Sequence, residues 1–428
     1  MKVDTMRAID RYVGIPLCFA VSWAFRIKEK LFRPKAQKPK KVLFVELSEM
    51  GSAILADPAM RWLKEQGCEL HFVIFKSNAV SLDLLKTIPS DNIYTIRSDS
   101  FVTLTTDTLN FLKWCRKKGI DTVIDLELFS RVTSLMSRLS GAVNRVGYDG
   151  VHEEGLYRGN HLTHPVMYNP HMHISRNFMA LVRAALQPAG EPYQRQLITQ
   201  DEIDLARAEV SEKDQQKVIE KIRSLYPEFQ PGKQRLMLVN PNASDLLPQR
   251  RWMADRFAEV IRTVLADYPD VLVVITGAPA EREGAESLKA AVNNHRCLNS
   301  AGVFLFNELV PLYSISALMV SNDSGPPHFA SVTDLPTYVI FGPETPSLYG
   351  ALGHSTPIYA GLACSPCVSA GNHRKTSCTD NQCLKAIYPE QVLNAIRPAL
   401  DPVIVKTPVQ SLEADLQKAQ KAKTEEVS

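Results

Sequence analysis

The chain has 428 residues, of which 45% are hydrophobic and 22% are charged, and its formal net charge is +3. This length exceeds what one ordinary hydrophobic core supports, so it predicts two domains. The composition is that of a globular protein, and the small net charge gives no indication of nucleic-acid binding. We therefore expect no nucleic-acid partner.

The first 40 residues combine an uncharged stretch with a basic one. Residues 12–25 carry no charge, and eight Lys or Arg residues follow between Arg26 and Lys41. The uncharged run is shorter than the roughly 20 residues that a membrane-crossing helix needs. An apolar segment containing Trp23 and flanked by cations is typical of a helix on an anionic membrane surface. We interpret residues 1–40 in this way; the alternative is a helix packed on the protein's own core.

An alternation of apolar strands and helices predicts a first domain over residues 41–190. The predicted strands are Val42–Leu47, Leu70–Phe75, Ile93–Ile96 and Thr122–Leu126. Continuous apolar strands separated by helices are typical of a parallel sheet that is covered on both faces. We therefore expect a doubly wound α/β domain.

A second domain of the same kind is predicted over residues 233–405. Its predicted strands are Leu236–Asn240, Val271–Thr276, Leu318–Ser321 and Thr337–Phe341. A polar, proline-bearing linker (191–232) would join the domains and hold a charged helix over Gln200–Tyr226, and a charged solvated tail would cover residues 406–428. The predicted fold class is α/β, with two doubly wound parallel-sheet domains that face a cleft.

Ligands of doubly wound sheets bind outside the carboxyl ends of the strands, so the loops there are the candidates for binding. After the first strand of the second domain come Asn242 and Ser244, then Arg250 and Arg251. Arginine binds phosphate oxygens in bidentate geometry, so this loop suits a diphosphate; the alternative is a solvated loop with surface arginines. Glu281 follows the next strand and is a candidate for a ribose diol or for the first turn of a helix.

The third loop of this domain reads SNDSGPPHFAS over residues 321–331. Proline suits the first turn of a helix, and a helix N-terminus offers free N–H groups to an anion. We expect Asp323 to cap this turn, and Ser324, Gly325 and His328 to contact phosphate. The alternative is an ordinary capped turn.

These loops, in this order, resemble glycosyltransferase family 9, the heptosyltransferases of bacterial lipopolysaccharide synthesis. The family's D-[ST]-G-x-x-H motif is matched by residues 323–328 and its F-G-x-x-x-P motif by residues 341–346. Its basic pair before a tryptophan is matched by residues 250–252, and the acid of its G-A-P loop by Glu281. The resemblance extends over most of residues 40–395.

The resemblance implies a GT-B fold with a nucleotide-sugar donor, by family expectation ADP-heptose, in the second domain. It also implies a lipid-linked saccharide acceptor in the first domain, at the cytoplasmic face of the bacterial inner membrane. The expected reaction inverts the sugar and requires neither a cofactor nor a metal ion. The alternatives are a transferase or epimerase for another sugar, and a catalytically silent scaffold that keeps the nucleotide-sugar site.

The chain departs from its family in the loop after the first strand, which reads LSEMGSA over residues 47–53. The family usually has G-D where this chain has Gly51 and Ser52, and that aspartate is its proposed general base. A serine hydroxyl is a poor base near neutral pH. We therefore assign the catalytic base to Glu49, the nearest carboxylate in this loop, and expect Gly51 and Ser52 to contact substrate. The alternatives are that Glu49 is a surface acid without a catalytic role, or that Glu46, which lies within the strand pattern, is the base. Asp57 is interpreted as the N-cap of the next helix.

Two side-chain clusters remain. A first-domain loop carries histidines that could bind an anionic group of the acceptor or serve no special role, namely His161, His164, His171 and His173. Four cysteines near the C-terminus could close a structural zinc site, remain thiols or form disulfides: Cys364, Cys367, Cys378 and Cys383. The cysteine cluster is not expected to be catalytic.

Overall fold

The structure of the protein is a computed structural model, and it describes residues 3–31, 37–128, 130–149, 157–372 and 374–401. These residues form two six-stranded sheets in which every strand pairing is parallel. The predicted fold class is confirmed. The predicted charged tail at 406–428 lies outside the described residues.

The two sheets have the same strand order. The first contains β1 Lys41–Val45, β2 Glu69–Phe75, β3 Ile93–Ile96, β4 Thr122–Asp125, β5 Asn144–Asp149 and β6 His164–Met167, in the order β3-β2-β1-β4-β5-β6. The second contains β7 Arg235–Asn240, β8 Val271–Ile275, β9 Cys297–Asn299, β10 Leu318–Asn322, β11 Thr337–Phe341 and β12 Ser355–Tyr359, in the order β9-β8-β7-β10-β11-β12. The order reverses between β1 and β4 and between β7 and β10. These two switch points are where doubly wound sheets bind ligands.

Helices cover both faces of the sheets. In chain order they are α1 Val3–Tyr12, α2 Gly14–Leu31, α3 Met50–Leu55, α4 Asp57–Glu65, α5 Phe101–Lys118, α6 Arg131–Leu139, α7 Ile174–Ala185, α8 Glu212–Leu225, α9 Ala254–Asp267, α10 Arg282–Val292, α11 Leu309–Ser314, α12 Gly325–Ala330, α13 Pro346–Tyr349, α14 Gln382–Lys385 and α15 Pro389–Leu400. Short 3-10 turns lie at Ala79–Asp83, Ser90–Asn92, Asp201–Ile203, Pro248–Arg250, Pro279–Glu281 and Phe306–Glu308.

The central strands are buried on both faces, which explains their continuous apolar sequences. All residues of β8 are buried, as are the last four of β1. All eight predicted strands are present. Four strands escape prediction, namely β5, β6, β9 and β12. Strand β5 reads NRVGYD and escapes prediction because Arg145 is polar yet buried. Its guanidinium donates to the carbonyls of Ala142, Val143 and His161, so the polar group is satisfied inside the domain.

The connection between the sheets contains a shorter helix than predicted. Helix α8 begins only after Ser211, whose hydroxyl accepts a hydrogen bond from the Asp214 N–H. Upstream, the Ala208 N–H donates to the carbonyl of Val332 at 2.8 Å, so that segment is tied to the second domain instead of continuing the helix. The predicted domain boundaries at 190 and 232 remain predictions.

Helices α1 and α2 pack with one face against α6, and this face is the polar one. The residues of this face recur at every fourth position, namely Asp10, Gly14, Cys18 and Ser22. Asp10 accepts hydrogen bonds from the Arg131 and Val132 N–H groups, and the Ser22 hydroxyl bonds the His161 ring at 3.0 Å. A Cβ at Gly14 would lie 2.9 Å from the Arg131 Cβ, so only glycine permits this approach. The predicted alternative, packing on the protein's own fold, is therefore realised by this face.

The opposite face of the same helices is apolar and exposed. Tyr12, Phe19 and Trp23 are 73%, 66% and 64% exposed. By its length and composition, the segment Thr5–Ile27 could cross a membrane. Of its most apolar 18-residue stretch, 11% is buried in the protein. The prediction of a surface helix depends on the uncharged run at 12–25. The apolar helical segment in the structure is longer, with 23 residues, so length alone does not separate a surface position from a membrane-crossing one.

Candidate active site

The second switch point is assembled by Asn322, the last residue of β10. Its side-chain amide donates to the Pro241 carbonyl at 2.7 Å, and its amide oxygen accepts from the Trp252 N–H at 3.1 Å. Both partners belong to the loop that follows β7. Asn322 is fully buried, so it holds that loop against the end of β10. Arg250 is thereby placed beside the turn at 323–328.

The two neighbouring arginines point to different places. Arg250 lies 3.6 Å from the Asp323 carboxylate, and its buried Nε has no hydrogen-bond partner among the described residues. Arg251 instead donates to the Ala243 carbonyl and forms an ion pair with Asp245. Arg250 is therefore the one of the pair that faces the switch point.

The turn at 323–328 does not use Asp323 as a cap. The N-cap of α12 is Ser324, whose side chain makes no capping bond and donates to the Asn322 carbonyl at 3.1 Å. The predicted capping role of Asp323 is wrong, because its carboxylate lies toward Arg250. Burial raises the pKa of Asp323 despite that cation. Gly325 begins the helix and is partly exposed.

His328 is one of the contacts between the two domains. A Cβ on Gly51, in the first domain, would lie 2.8 Å from the His328 Cδ2. Burial and the nearby His173 lower the pKa of His328 to about 4, so the ring is neutral at pH 7. Its Nδ1 is buried without a hydrogen-bond partner among the described residues. A neutral imidazole can donate or accept one hydrogen bond toward a ligand there.

Asn242 and Glu281 converge at the edge of β8. An ideal Cβ on Gly277 would lie 3.0 Å from the Asn242 Nδ2 and 2.9 Å from the Glu281 Oε2. Within the described part of the chain the amide Nδ2 is buried without a hydrogen-bond partner, while Glu281 accepts from the Ala278 N–H at 2.6 Å. Ser244 is exposed, and its hydroxyl accepts from the Leu246 N–H. An amide donor and a carboxylate acceptor side by side suit a pair of hydroxyls.

The first switch point is built by carboxylates. Glu46, directly after β1, is buried and accepts from the Ser48 and Glu49 N–H groups at 3.3 and 3.2 Å. Glu127, after β4, accepts from the Leu47 and Ser48 N–H groups at 3.0 and 3.1 Å. Burial raises the pKa of both carboxyls, and the neighbouring carboxylates Glu127 and Glu49 further raise the pKa of Glu46. Two acids therefore fix the backbone of the loop that carries Glu49.

Glu49 lies across the cleft from the second domain. It is the N-cap position of α3, and one of its oxygens accepts from the Ser52 hydroxyl at 3.0 Å. Its other oxygen forms an ion pair with Arg374. Burial acts to raise the pKa of Glu49, but the Arg374 guanidinium and the Ser52 hydroxyl outweigh it, so the pKa is lowered. The carboxylate predicted from the loop sequence thus sits in the cleft and is ionised.

Asp57 belongs to a different environment. The N-cap of α4 is Ala56, so the predicted capping role of Asp57 is wrong by one residue. Asp57 is buried and pairs with Arg61 at 2.8 Å. It therefore supports the start of α4 as an ion-pair partner.

Two members of the cleft, Glu344 and Arg374, escape prediction from the sequence. Glu344 is 3% exposed, and burial raises its pKa to about 7. The sequence pattern could have indicated Glu344 as a cleft residue, because it stands in the F-G-x-x-x-P motif directly after β11. Arg374 lies in the cysteine-bearing loop, and no sequence pattern places it in the cleft.

The histidine and cysteine clusters are dispersed. His161 is buried between the hydroxyls of Ser134 and Ser22, whereas the His173 Nε2 bonds the Gly350 carbonyl at 2.8 Å. The histidines thus do not form one anion site. Within the part of the chain that the structure describes, no group of three or more His, Cys, Asp or Glu side chains could hold a metal ion. All four C-terminal cysteines have free thiols.

The sequence model of glycosyltransferase family 9 (heptosyltransferase) matches residues 109–377, which is more than half of the chain. The chain belongs to glycosyltransferase family 9. The match extends from the first domain through the second switch point to the loop of Arg374. The family predicted from the donor loops is therefore confirmed.

Relatives with curated names agree with this family. The chain is 27% identical over 156 residues to lipopolysaccharide heptosyltransferase 2 of Salmonella typhimurium, which covers 36% of this chain and 43% of the relative. It is 24% identical over 332 residues to the lipopolysaccharide core heptosyltransferase OpsX of Haemophilus influenzae, and this match covers 76% of this chain and 86% of the relative. For the Salmonella relative, the chain therefore spans less than half of its length.

A solved structure shows the same architecture. The ADP-heptose lps heptosyltransferase II of E. coli superposes with a TM-score of 0.62 at 18% identity, covering 84% of this chain and 98% of that one. This likeness establishes the fold as GT-B, with two parallel-sheet domains and a cleft between them. The two switch points described above face that cleft.

Proposed function

We propose that the chain is an inverting glycosyltransferase. It would move a sugar, heptose by likeness to its relatives, from a nucleotide-diphosphate donor onto a lipopolysaccharide-core or other lipid-linked saccharide. The observation that carries this proposal is the second switch point, where Arg250 and the turn at 323–328 meet at the ligand-binding edge of the sheet. The ADP-heptose named for the E. coli relative supports ADP as the nucleotide.

Each group of the proposed donor would have a counterpart on this edge. Arg250 would bind the diphosphate, together with the hydroxyl of Ser324, the N–H of Gly325 and the ring of His328. Asn242 and Glu281 would hold the ribose hydroxyls. Ser244 and Arg251 lie on the same loop but are engaged locally, so their contribution would be smaller.

Transfer would be a single displacement. An acceptor hydroxyl oxygen forms a bond to the anomeric carbon, and the bond from that carbon to the donor phosphate breaks. The nucleoside diphosphate leaves with the electron pair, and the hydroxyl proton passes to Glu49. A cation and preorganised N–H groups at the leaving phosphate would stabilise its charge without a metal ion. Attack opposite the leaving group inverts the anomeric centre.

A thermal-shift panel of ADP, UDP, GDP and CDP on the full-length protein tests the donor site. A ligand that binds the folded state raises the melting temperature by mass action. We expect ADP to give the largest shift. No shift with any of these nucleotides at millimolar concentration would refute the donor assignment.

The second candidate function is a catalytically silent nucleotide-sugar-binding scaffold, and Ser52 favours it. The residue stands where the family carries its proposed basic aspartate, and a hydroxyl is a poor proton acceptor near neutral pH. A transferase or epimerase for another sugar is the remaining alternative. Release of ADP from an ADP-sugar, with and without saccharide acceptors, separates an enzyme from a scaffold.

We further propose that α1 and α2 place the first domain on an anionic membrane surface, at the cytoplasmic face of the bacterial inner membrane. The polar face of these helices is bound to α6 and to His161, so a bilayer-crossing position would require those contacts to break. The exposed apolar face and the following basic run suit insertion into the headgroup region. A lipid-linked acceptor would then reach the first domain without leaving the membrane.

Sedimentation with vesicles containing anionic lipid tests this placement. Phe19→Ser combined with Trp23→Ser should reduce binding at least about tenfold, because two large exposed apolar side chains are lost. Leu197→Ser is the control, since Leu197 is 82% exposed and lies elsewhere. Equal binding of wild type and the double variant would refute the proposal, and release only by detergent would favour a membrane-crossing helix.

A further inference from the structure

The Arg374 guanidinium reaches from the second domain into the cleft, where it lies between two acids. It forms an ion pair with Glu49 of the first domain, and its Nε lies 3.8 Å from the Glu344 carboxylate. The cation also lies over the Tyr349 ring, 4.4 Å from the ring centroid. The backbone of Arg374 has φ 53°, in the left-handed region that residues with a Cβ seldom occupy. The loop therefore holds this side chain in the cleft in an unfavourable backbone conformation.

Arg374 and Arg250 belong to one charge cluster. The positive charges of both guanidinium groups act to lower the pKa of Glu49 and of Asp323. Both also act on the pKa of Glu344. Arg374 therefore belongs to the surroundings of the candidate phosphate site as well as to those of the first-domain carboxylate to which it is bound.

The polar atoms of this cluster are incompletely paired. Three buried atoms have no hydrogen-bond partner among the described residues, namely the Asp323 Oδ2, the Glu344 Oε1 and the Arg250 Nε. A buried polar atom without a partner costs about 1–3 kcal/mol by general experience, and such atoms in a cleft indicate a place for a ligand. Of these atoms the Arg250 Nε is a donor, so an oxygen of an anion would satisfy it; the Asp323 and Glu344 carboxyls, whose pKa values burial raises, can face an anion when they are protonated and donate to it.

We propose that Arg374 is a second cation for the donor diphosphate, and that Glu49 holds it in place until the donor binds. The inference rests on the proposed function, because it takes the ligand of the second switch point to be a nucleoside diphosphate. On binding, the guanidinium exchanges the Glu49 carboxylate for phosphate oxygens. Glu49 then loses its opposing cation while it keeps the Ser52 hydroxyl, and it becomes free to take the acceptor's proton. Donor binding thus prepares the acceptor side of the cleft.

Titration calorimetry of the full-length protein with ADP, and with pyrophosphate as a probe without nucleobase, tests this exchange. Arg374→Gln should weaken binding about 10- to 150-fold, the loss expected when a charged hydrogen-bond partner is removed. Glu49→Gln should instead strengthen binding by about 3- to 10-fold, since it removes the carboxylate that competes with phosphate for Arg374. The gain should vanish when both substitutions are combined, because the two residues act through one contact.

Lys375→Gln is the matched control, since it removes an exposed positive charge from the neighbouring position and should change affinity less than about twofold. If Arg374→Gln binds ADP as wild type does while Arg250→Gln does not, the inference fails and the donor site stands. If wild type binds neither probe, the proposed function fails with it. Should Arg374→Gln not fold, the comparison of Glu49→Gln with wild type decides, and unchanged affinity there overturns the exchange.

Discussion

The two switch points have the same strand topology and different charged side chains. In the first domain, Glu46 and Glu127 surround the loop after β1 and Glu49 extends from it into the cleft. In the second domain, Arg250 occupies the equivalent crevice and Arg374 joins it from a distant loop. Two folds of one kind therefore meet with an edge that carries carboxylates on one side and an edge that carries arginines facing Asp323 and Glu344 on the other; we call them the acidic edge and the basic edge.

The topology of a doubly wound sheet fixes where a ligand binds, while the loop residues decide which ligand binds there. Carboxylates repel phosphate and accept protons, so the first crevice suits a sugar hydroxyl. Arginines bind phosphate and stabilise a leaving anion, so the second crevice suits a diphosphate. Under the proposed function the reacting groups would meet between the two edges, where the Glu49–Arg374 ion pair lies.

The strongest test of the acidic edge is Glu49→Gln. The amide keeps the size of the side chain but cannot take a proton, so transfer should fall about 10²–10⁴-fold, the usual contribution of general base catalysis. Steady-state release of ADP from the sugar donor with acceptor present measures this. Transfer at the wild-type rate would show that Glu49 is not the base.

Ser52→Asp is the complementary change on the same edge. It restores the carboxylate that the family usually carries, next to Glu49, and should recover part of the transfer activity lost in Glu49→Gln. The same ADP-release assay measures the recovery. If wild type transfers to no acceptor while Ser52→Asp alone does, the silent scaffold becomes the better description of the natural chain.

The basic edge is tested by comparing Arg250→Gln with Arg251→Gln. Only Arg250 of this pair faces the turn at 323–328, so its loss should weaken ADP binding about 10- to 150-fold. Arg251 is already engaged by Ala243 and Asp245, and its loss should change ADP affinity less than about threefold. Calorimetry of the two variants measures the difference, and equal losses would mean that the arginines act together.

The charge of Glu344, which lies in the cleft, is tested by the pH dependence of the free energy of unfolding. Burial raises the pKa of Glu344 from its ordinary 4.5 to about 7. The stability that its protonated form contributes is therefore fully present below pH 4.5 and is lost as the pH rises through about 7. Glu344→Gln stays neutral, so its free energy of unfolding should exceed that of wild type by a margin that grows over this window, reaching about 1–3 kcal/mol. Urea unfolding at about pH 5.5, 7 and 8.5 measures the margin; a margin that shrinks with pH would contradict this.

The sequence predicted the sheets well and the cleft only partly, for physical reasons. Continuous apolar runs identify buried strands such as β8 because burial on both faces leaves no polar position. The loops after those strands carry Arg250 and Glu49, and chain order alone brings them to the switch points. The Arg374 side chain lies in the cleft because of the tertiary packing of the long loop that carries it, which no sequence pattern predicts. The direction of Arg251 depends on a local bond to Ala243 that no pattern encodes.

The smallest predicted effect concerns the place where the two edges touch. A methyl group at Gly51 would lie 2.8 Å from the buried His328 ring, so Gly51→Ala should force the domains slightly apart and lower the free energy of unfolding by about 1 kcal/mol. Gly284→Ala is the control: this glycine lies within α10, where open space surrounds the position of an added methyl group, and alanine should stabilise the helix by about 0.4–1 kcal/mol. Urea unfolding of both variants measures the opposite signs. If Gly51→Ala were as stable as wild type, the acidic and basic edges would have room to move against each other, and the close contact at His328 would not fix their separation.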